Sequence, residues 1–342
     1  MKKIIGLIGL LLLVACQGQS VASLPEEVES VRLILDTDLG PDYDDVGAMA
    51  LMHALADSGQ VQILATLSSN ADERVVPCME VINTYFNRPE IPVGVTKSST
   101  AASLTTWHKE KWTDALPAHY PHPTVKTSDA PDAVAIYRQL LSQQPDSSVV
   151  ICTIGFFTNL KELLRSQGDT YSPLSGKELV ARKVKRLVSM AGAFPEGKEF
   201  NVYCDVESSR AVADEWPTEI IFSGFEIGDK VLTGKKLVAM PTEHSPVKEA
   251  FAMSFAEGDP DGRMSWDQTA VLVAIKGYAP YFDIERGHFQ LSDAEGNNSW
   301  KVDPQGPHAR LLFRMTPQQI AAVIEDYMMH QPACKEAGLS AL

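Results

Sequence analysis

Five of the ten residues from Asp36 to Asp45 are aspartates: Asp36, Asp38, Asp42, Asp44 and Asp45. Carboxylates packed that densely repel one another unless protons or a cation intervene. An oxygen-only donor set, with no His or Cys beside it, suits a hard divalent ion, Ca²⁺ or Mg²⁺, better than zinc. The run is not an EF-hand, because counting twelve residues from Asp36 reaches Gly47 and from Asp38 reaches Met49, where a bidentate Glu is required. A helix starting near Val46 explains Asp44 or Asp45 at its N-terminus, but not all five acids.

These acids follow an apolar run, VRLIL at 31 to 35, and further polar groups follow similar runs. Ser68, Ser69 and Asn70 come after VQILATL (61 to 67). Gly155-Phe156-Phe157-Thr158-Asn159 comes after SSVVICTI (147 to 154), and Gly192 and Glu199-Phe200-Asn201 come after KRLVSM (185 to 190). IPVGV (91 to 95) and EIIF (219 to 222) complete six continuous runs of strand length. Continuous rather than alternating hydrophobicity means strands covered on both faces, so the fold class is α/β, a mostly parallel, doubly wound sheet flanked by helices. Helices are expected over Val46 to Ala56, Pro77 to Phe86, Pro131 to Ser142, Asn159 to Arg165 and Thr316 to Met329, with both prolines in first turns. In such sheets ligands bind beyond the carboxyl ends of the strands, which is where the polar groups gather.

Two segments break the pattern. Residues 97 to 129, rich in Thr, Ser, Pro and His and carrying Trp107, His108, Trp112, His119 and His122, read as a structureless lid or binding loop. Residues 282 to 302 read as a small C-terminal hairpin turning at AEGNN.

The chain of 342 residues has a net charge of −14 and no extended Lys/Arg run, which excludes a nucleic-acid partner. Lys2 and Lys3 precede an apolar run from Ile4 to Val14 that is too short to span a membrane, so residues 1–15 read as a signal peptide. The run closes on Leu13-Val14-Ala15-Cys16, similar to the lipobox of bacterial lipoproteins, which makes Cys16 the lipidated mature N-terminus and residues 16–30 a polar tether. Export to the cell envelope follows, with membrane attachment only through that anchor. The other cysteines, Cys78, Cys152, Cys204 and Cys334, lack zinc or redox spacing, and Cys152 inside VVICTI reads as a buried free thiol.

The acidic loop resembles that of the nucleoside hydrolases, the inosine-uridine-preferring N-ribohydrolases, whose hallmark is Asp-x-Asp-Pro-Gly-x-Asp-Asp after the first strand. Here DTDLGPDYDD has Leu39 for the proline and two extra residues before the Asp pair. Residues 31–342 then form one nucleoside hydrolase-like domain that cleaves the N-glycosidic bond of a ribonucleoside. The resemblance implies a Ca²⁺ held by Asp38, Asp45, the Thr158 carbonyl and Asp267, and Asp38 as the general base toward water. It implies ribose contacts from Asp42 or Asp44, Asn70, Met190, Glu199 and Asn201. Trp266 stands where the family often has a His that protonates the leaving base, so protonation from the lid, protonation from solvent and activation by stacking all remain open, with Trp107, Trp266 and Trp300 as stacking candidates.

Two other readings of the same residues stand beside this one. A phosphohydrolase of the haloacid dehalogenase type would use Asp36 in ILDTDLG as its nucleophile. A non-catalytic lipoprotein would capture nucleosides or sugars on the same cation. The oligomeric state, including a homo-oligomer, is left open.

Overall fold

The computed structural model describes residues 30–333. The signal peptide, Cys16, the tether up to residue 29 and Cys334 lie outside the described residues.

The apolar runs are strands. In chain order they are β1 (Val31–Thr37), β2 (Val61–Ser68), β3 (Val93–Val95), β4 (Val149–Thr153), β5 (Val184–Met190), a short β6 (Glu196–Lys198) and β7 (Glu219–Ser223). β8 (Leu232–Thr233) and β9 (Arg263–Met264) pair with each other, and β10 (Phe282–Leu291), β11 (Asn297–Val302) and β12 (His308–Phe313) follow. The main sheet has ten strands in the order β3-β2-β1-β4-β5-β7-β12-β10-β11-β6. From β3 to β12 every neighbouring pair is parallel, and β10, β11 and β6 add on antiparallel. The hairpin expected at 282 to 302 is β10–β11, and it extends the main sheet instead of standing apart from it.

Side chains alternate faces along a strand, yet Leu33, Ile34 and Leu35 are all fully buried. Leu33 and Leu35 join the core under the helix Asp44–Asp57, while Ile34 joins the opposite core with Tyr137, Leu141 and Leu160. Both faces of β1 are covered, as its unbroken hydrophobicity requires.

The helix Asp44–Asp57 is buried from Asp44 to Leu55, all the way round, the expected state of a helix with no polar face. It lies against the helix Trp266–Lys276, which is buried from Asp267 to Ile275. Gly47 permits the crossing, because a Cβ there would come within 2.5 Å of Gln268 Nε2 and 2.9 Å of Met328 Cε. The two helices carry Asp44, Asp45 and Asp267 in their first turns, so this packing brings acids from opposite ends of the sequence to one place.

Three expectations need correction. Residues 97–129 are not structureless, since they contain the helix Trp112–His119 and a 3₁₀ turn at Thr127–Asp129. Pro131 lies outside its helix, whose N-cap is Asp132 accepting from Val134 N–H, and its carbonyl accepts from Val95 N–H. Strand β12, inserted between β7 and β10, and the helices Pro246–Phe255 and Trp266–Lys276 lay outside the expected pattern. Among the described residues no helix is long and apolar enough to cross a membrane.

Candidate active site

A pocket of about 190 Å³ opens beyond the carboxyl ends of the parallel strands. Its floor is polar: Asp38, Asp42, Asp44 and Asp267, with Met190, Glu199 and Asn201 beside them and Ile154 at the end of β4. Its rim is aromatic: Trp107, Phe200, Phe225 and Trp266. Arg263 joins floor to rim. Asp38, Asp42, Asp44, Met190, Glu199, Asn201, Trp266 and Asp267, all expected from sequence, meet here.

Burial and the charge of Asp45 and Asp42 push the Asp38 carboxyl well above its ordinary range. Burial, with the charges of Asp44, Asp45, Asp42 and Asp38, does the same to Asp267, and burial with Asp42 and Asp44 does so to Asp45. Asp45 accepts a short hydrogen bond from Thr37 Oγ1 on one oxygen, while Oδ2 is buried without a hydrogen-bond partner. Among the described residues no three His, Cys, Asp or Glu are already drawn into a closed ligand set. The donors nonetheless fit a hard cation: they are carboxylates, mutually repelling, with one buried oxygen left unpaired.

Arg263, on β9, supplies the positive charge the sequence reading lacked. It is 7% exposed, donates to Asp44 Oδ1 from Nη2 at 2.7 Å and from Nε at 3.2 Å, and makes a short contact from Nη2 to Asp42. Its Cζ lies 5.0 Å from the ring centroids of both Tyr43 and Trp266. Burial alone would lower its pKa, but Asp44 and Asp42 more than offset that, so it stays protonated. Burial and Asp44 raise Asp42 to about 7 against the pull of Arg263. Sequence offered no signal for Arg263 beyond the charge imbalance of the acidic loop.

Glu199 caps the helix Phe200–Cys204. Its oxygens accept backbone N–H bonds from Asn201 at 2.8 Å, Gly192 at 3.0 Å and Val202 at 3.2 Å. Burial still pushes it up to about 7. Asn201 donates to the carbonyls of Met190 at 3.1 Å and Ile154 at 3.2 Å, which ties the ends of β5 and β4 to the pocket.

Three expected site residues are not in the pocket lining: Asp45, which sits behind it bonded to Thr37, and Asn70 and Thr158. Asn70 gives its amide to backbone: Nδ2 donates to the carbonyls of Leu104 at 2.7 Å and Asp38 at 2.9 Å, and Oδ1 accepts from Leu104 N–H at 2.9 Å. It clamps the lid to the acidic loop. Thr158 starts the helix Thr158–Arg165 and donates from Oγ1 to Asp205 at 2.6 Å; of this segment it is Ile154 that lines the pocket. Asp36 is also withdrawn, fully buried and accepting from Tyr137 Oη at 2.9 Å and from Asn159 Nδ2 at 3.1 Å. An acid so enclosed cannot serve as the nucleophile of a phosphohydrolase.

None of the three lid histidines lines the pocket. His119 pairs with Glu249 at 2.6 Å, His122 has ring nitrogens against the carbonyls of Thr124 and Pro117, and His108 bonds Thr106 Oγ1 at 3.1 Å. Trp300 packs edge-on to Phe194 at 5.4 Å, away from the pocket. The lid is fastened at its far side by Glu257, which accepts from the N–H groups of Lys109 and Glu110 at 2.9 and 2.6 Å.

The fold and this site define an α/β hydrolytic enzyme acting at the carboxyl edge of a parallel sheet. The family described as inosine-uridine preferring nucleoside hydrolase matches residues 33–315, and the chain belongs to it. It is thereby an N-glycosyl hydrolase. Similar solved structures include a purine-preferring ribonucleoside hydrolase from Gardnerella vaginalis, 17% identical with TM-score 0.66, over 87% of this chain and 98% of that one. An inosine-guanosine nucleoside hydrolase is 18% identical with TM-score 0.67, over 88% and 99%. The inosine-uridine preferring nucleoside hydrolase from Bacillus anthracis is 14% identical with TM-score 0.63, over 87% and 97%. At these identities the likeness speaks for the fold. No curated protein matches the chain.

Proposed function

We propose that the chain is a divalent-cation-dependent ribonucleoside hydrolase, with Ca²⁺ the preferred ion and Mg²⁺ second, exported as a lipoprotein anchored through Cys16 and serving purine or pyrimidine salvage. The observation that carries the reading is the meeting of Asp38, Asp44 and Asp267 with Glu199 and Asn201 under an aromatic rim. Asp38, Asp45 and Asp267 would hold the ion, with the nearby Ile154 backbone in the place that sequence gave to Thr158. When bound, the ion would neutralise the acids and polarise oxygen ligands.

The chain's own groups do the rest. Asp44, Asn201 Oδ1 and Glu199 offer acceptors to the sugar hydroxyls on a buried floor. Asp38 takes a proton from the attacking water, a role open to a carboxylate that lines the pocket floor. The aromatic rim stacks on the base. Cleavage passes through an oxocarbenium-like state, so holding the ribose and moving that proton address its two main demands.

Incubating the purified chain with a panel of ribonucleosides and assaying free ribose tests the activity. Metal analysis of protein purified without chelator, and the stability gained on adding Ca²⁺ in wild type and Asp38→Ala, test the ion. Mass spectrometry of the native N-terminus tests Cys16. Saturable nucleoside binding without release of ribose would favour the binding-lipoprotein reading instead.

A further inference from the structure

A departing base carries away the electron pair of the broken C–N bond, and something must stabilise it. The groups expected to do so are otherwise engaged. The lid histidines stand outside the pocket. Trp266 gives its Nε1–H to the Phe225 carbonyl at 2.8 Å, which leaves its ring face but no donor for the base.

Arg263 has an arm to spare. Nε and Nη2 hold Asp44 and Asp42, while among the described residues the one carboxylate near Nη1 is that of Asp259, at 3.9 Å, beyond hydrogen-bond distance. The guanidinium touches the acid of the sugar-binding floor and lies against the Trp266 ring of the rim. It therefore sits where the floor gives way to the aromatic rim, the level at which a bond joining sugar to base would lie. Its backbone is fixed there by the β8–β9 ribbon, where Thr233 pairs with Arg263.

We propose that Arg263 is the leaving-group electrophile of this enzyme, donating from Nη1 to an acceptor on the base edge beside the sugar, purine N3 or pyrimidine O2. The inference rests on the ribonucleoside hydrolase reading. In the step, the C–N bond breaks and its electron pair passes to the base, where the guanidinium stabilises it. Water adds its oxygen to the anomeric carbon and gives one proton to the Asp38 carboxylate. The base takes a proton from solvent and Asp38 returns its own, so nucleoside and water become ribose and neutral base. The substrates favoured are nucleosides whose base presents such an acceptor and needs help to leave.

The test compares inosine with 4-nitrophenyl β-D-ribofuranoside, whose phenolate leaves unaided. Losing one preorganised donor to developing charge costs about 10²- to 10³-fold. In Arg263→Met the ratio of kcat/KM for inosine to that for the nitrophenyl riboside is expected to fall by that factor. In Arg263→Lys, which keeps a cation beside Asp44 and guards against a folding defect, the ratio falls in the same direction by a smaller factor. If both substrates lose activity equally in both variants, Arg263 only positions Asp44 and the inference is overturned. If the wild-type chain hydrolyses neither substrate, the hydrolase reading itself fails and takes this one with it.

Discussion

The guanidinium of Arg263 and the carboxylate of Asp44 meet at 2.7 Å across 219 residues of sequence, both nearly out of reach of solvent. This pair divides the acids of the pocket. Asp42 and Asp44 are compensated by a fixed cation, whereas Asp38, Asp45 and Asp267 are not, and it is to those three that the proposed function assigns an added ion.

Removing Arg263 leaves the buried Asp44 and the half-buried Asp42 without compensation. Breaking a buried pair by deleting one partner costs about 3–5 kcal/mol, so Arg263→Met should lose stability of that size by urea denaturation at pH 8. The loss should shrink at pH 5, where Asp42, raised to about 7, is protonated. A variant within 1 kcal/mol of wild type at pH 8, as an order-of-magnitude bound, would count against this partition of charge.

Glu199 gives the pH dependence a definite sign. Its folded pKa of about 7 stands above the ordinary 4.5, so the folded state binds the proton more tightly. The stabilisation is complete below the ordinary value and is lost as pH rises through about 7. Stability should therefore fall between pH 5 and 8, and Glu199→Gln should make that slope shallower by about 2–3 kcal/mol across the window. An unchanged slope would show that Glu199 does not titrate there.

Much of the fold was legible because the physical cause was local. β1 reads as a buried strand since Leu33, Ile34 and Leu35 each need a covered face, and the acids after it fall at the sheet's carboxyl edge for the same reason. Met190 ends β5, and Glu199 and Asn201 come just past the short β6 that follows it. The side chains of Asn70 and Thr158 turn to partners that sequence does not reveal: backbone at Asp38 and Leu104 for one, Asp205 for the other. The helix Trp112–His119 hid behind Pro117 and a loop-like composition, and Arg263 acquires its meaning only when two buried helices bring their first turns together.

Gly155 makes the strand-end geometry testable. A Cβ there would stand 2.4 Å from Asp38 N and 2.7 Å from Thr37 C, and both are backbone atoms that cannot rotate away. Gly155→Ala should cost about 1–3 kcal/mol of stability and shift Asp38 enough to lower kcat/KM at least about 10-fold. Wild-type values for both, from thermal melts and steady-state kinetics, would mean that the loop yields freely.

Trp107 is 60% exposed at the rim, edge-on to Phe200 at 5.4 Å. An aromatic contact is worth about 0.5–1.5 kcal/mol, so Trp107→Ala should raise KM for nucleosides about 2- to 10-fold with kcat little changed, as loss of uniform binding does. A fall in kcat at constant KM would instead give the lid a part in the chemical step.

The most direct test of the central claim is the release of free ribose from a nucleoside panel by wild type and Asp38→Asn, each with and without added Ca²⁺. Wild type with Ca²⁺ should liberate ribose and base in equal amounts from at least one nucleoside, chelation should reduce this sharply, and Asp38→Asn should lower it by about 10³-fold or more as base and ion ligand are lost together. No ribose from any nucleoside, or undiminished release by Asp38→Asn, would contradict the account.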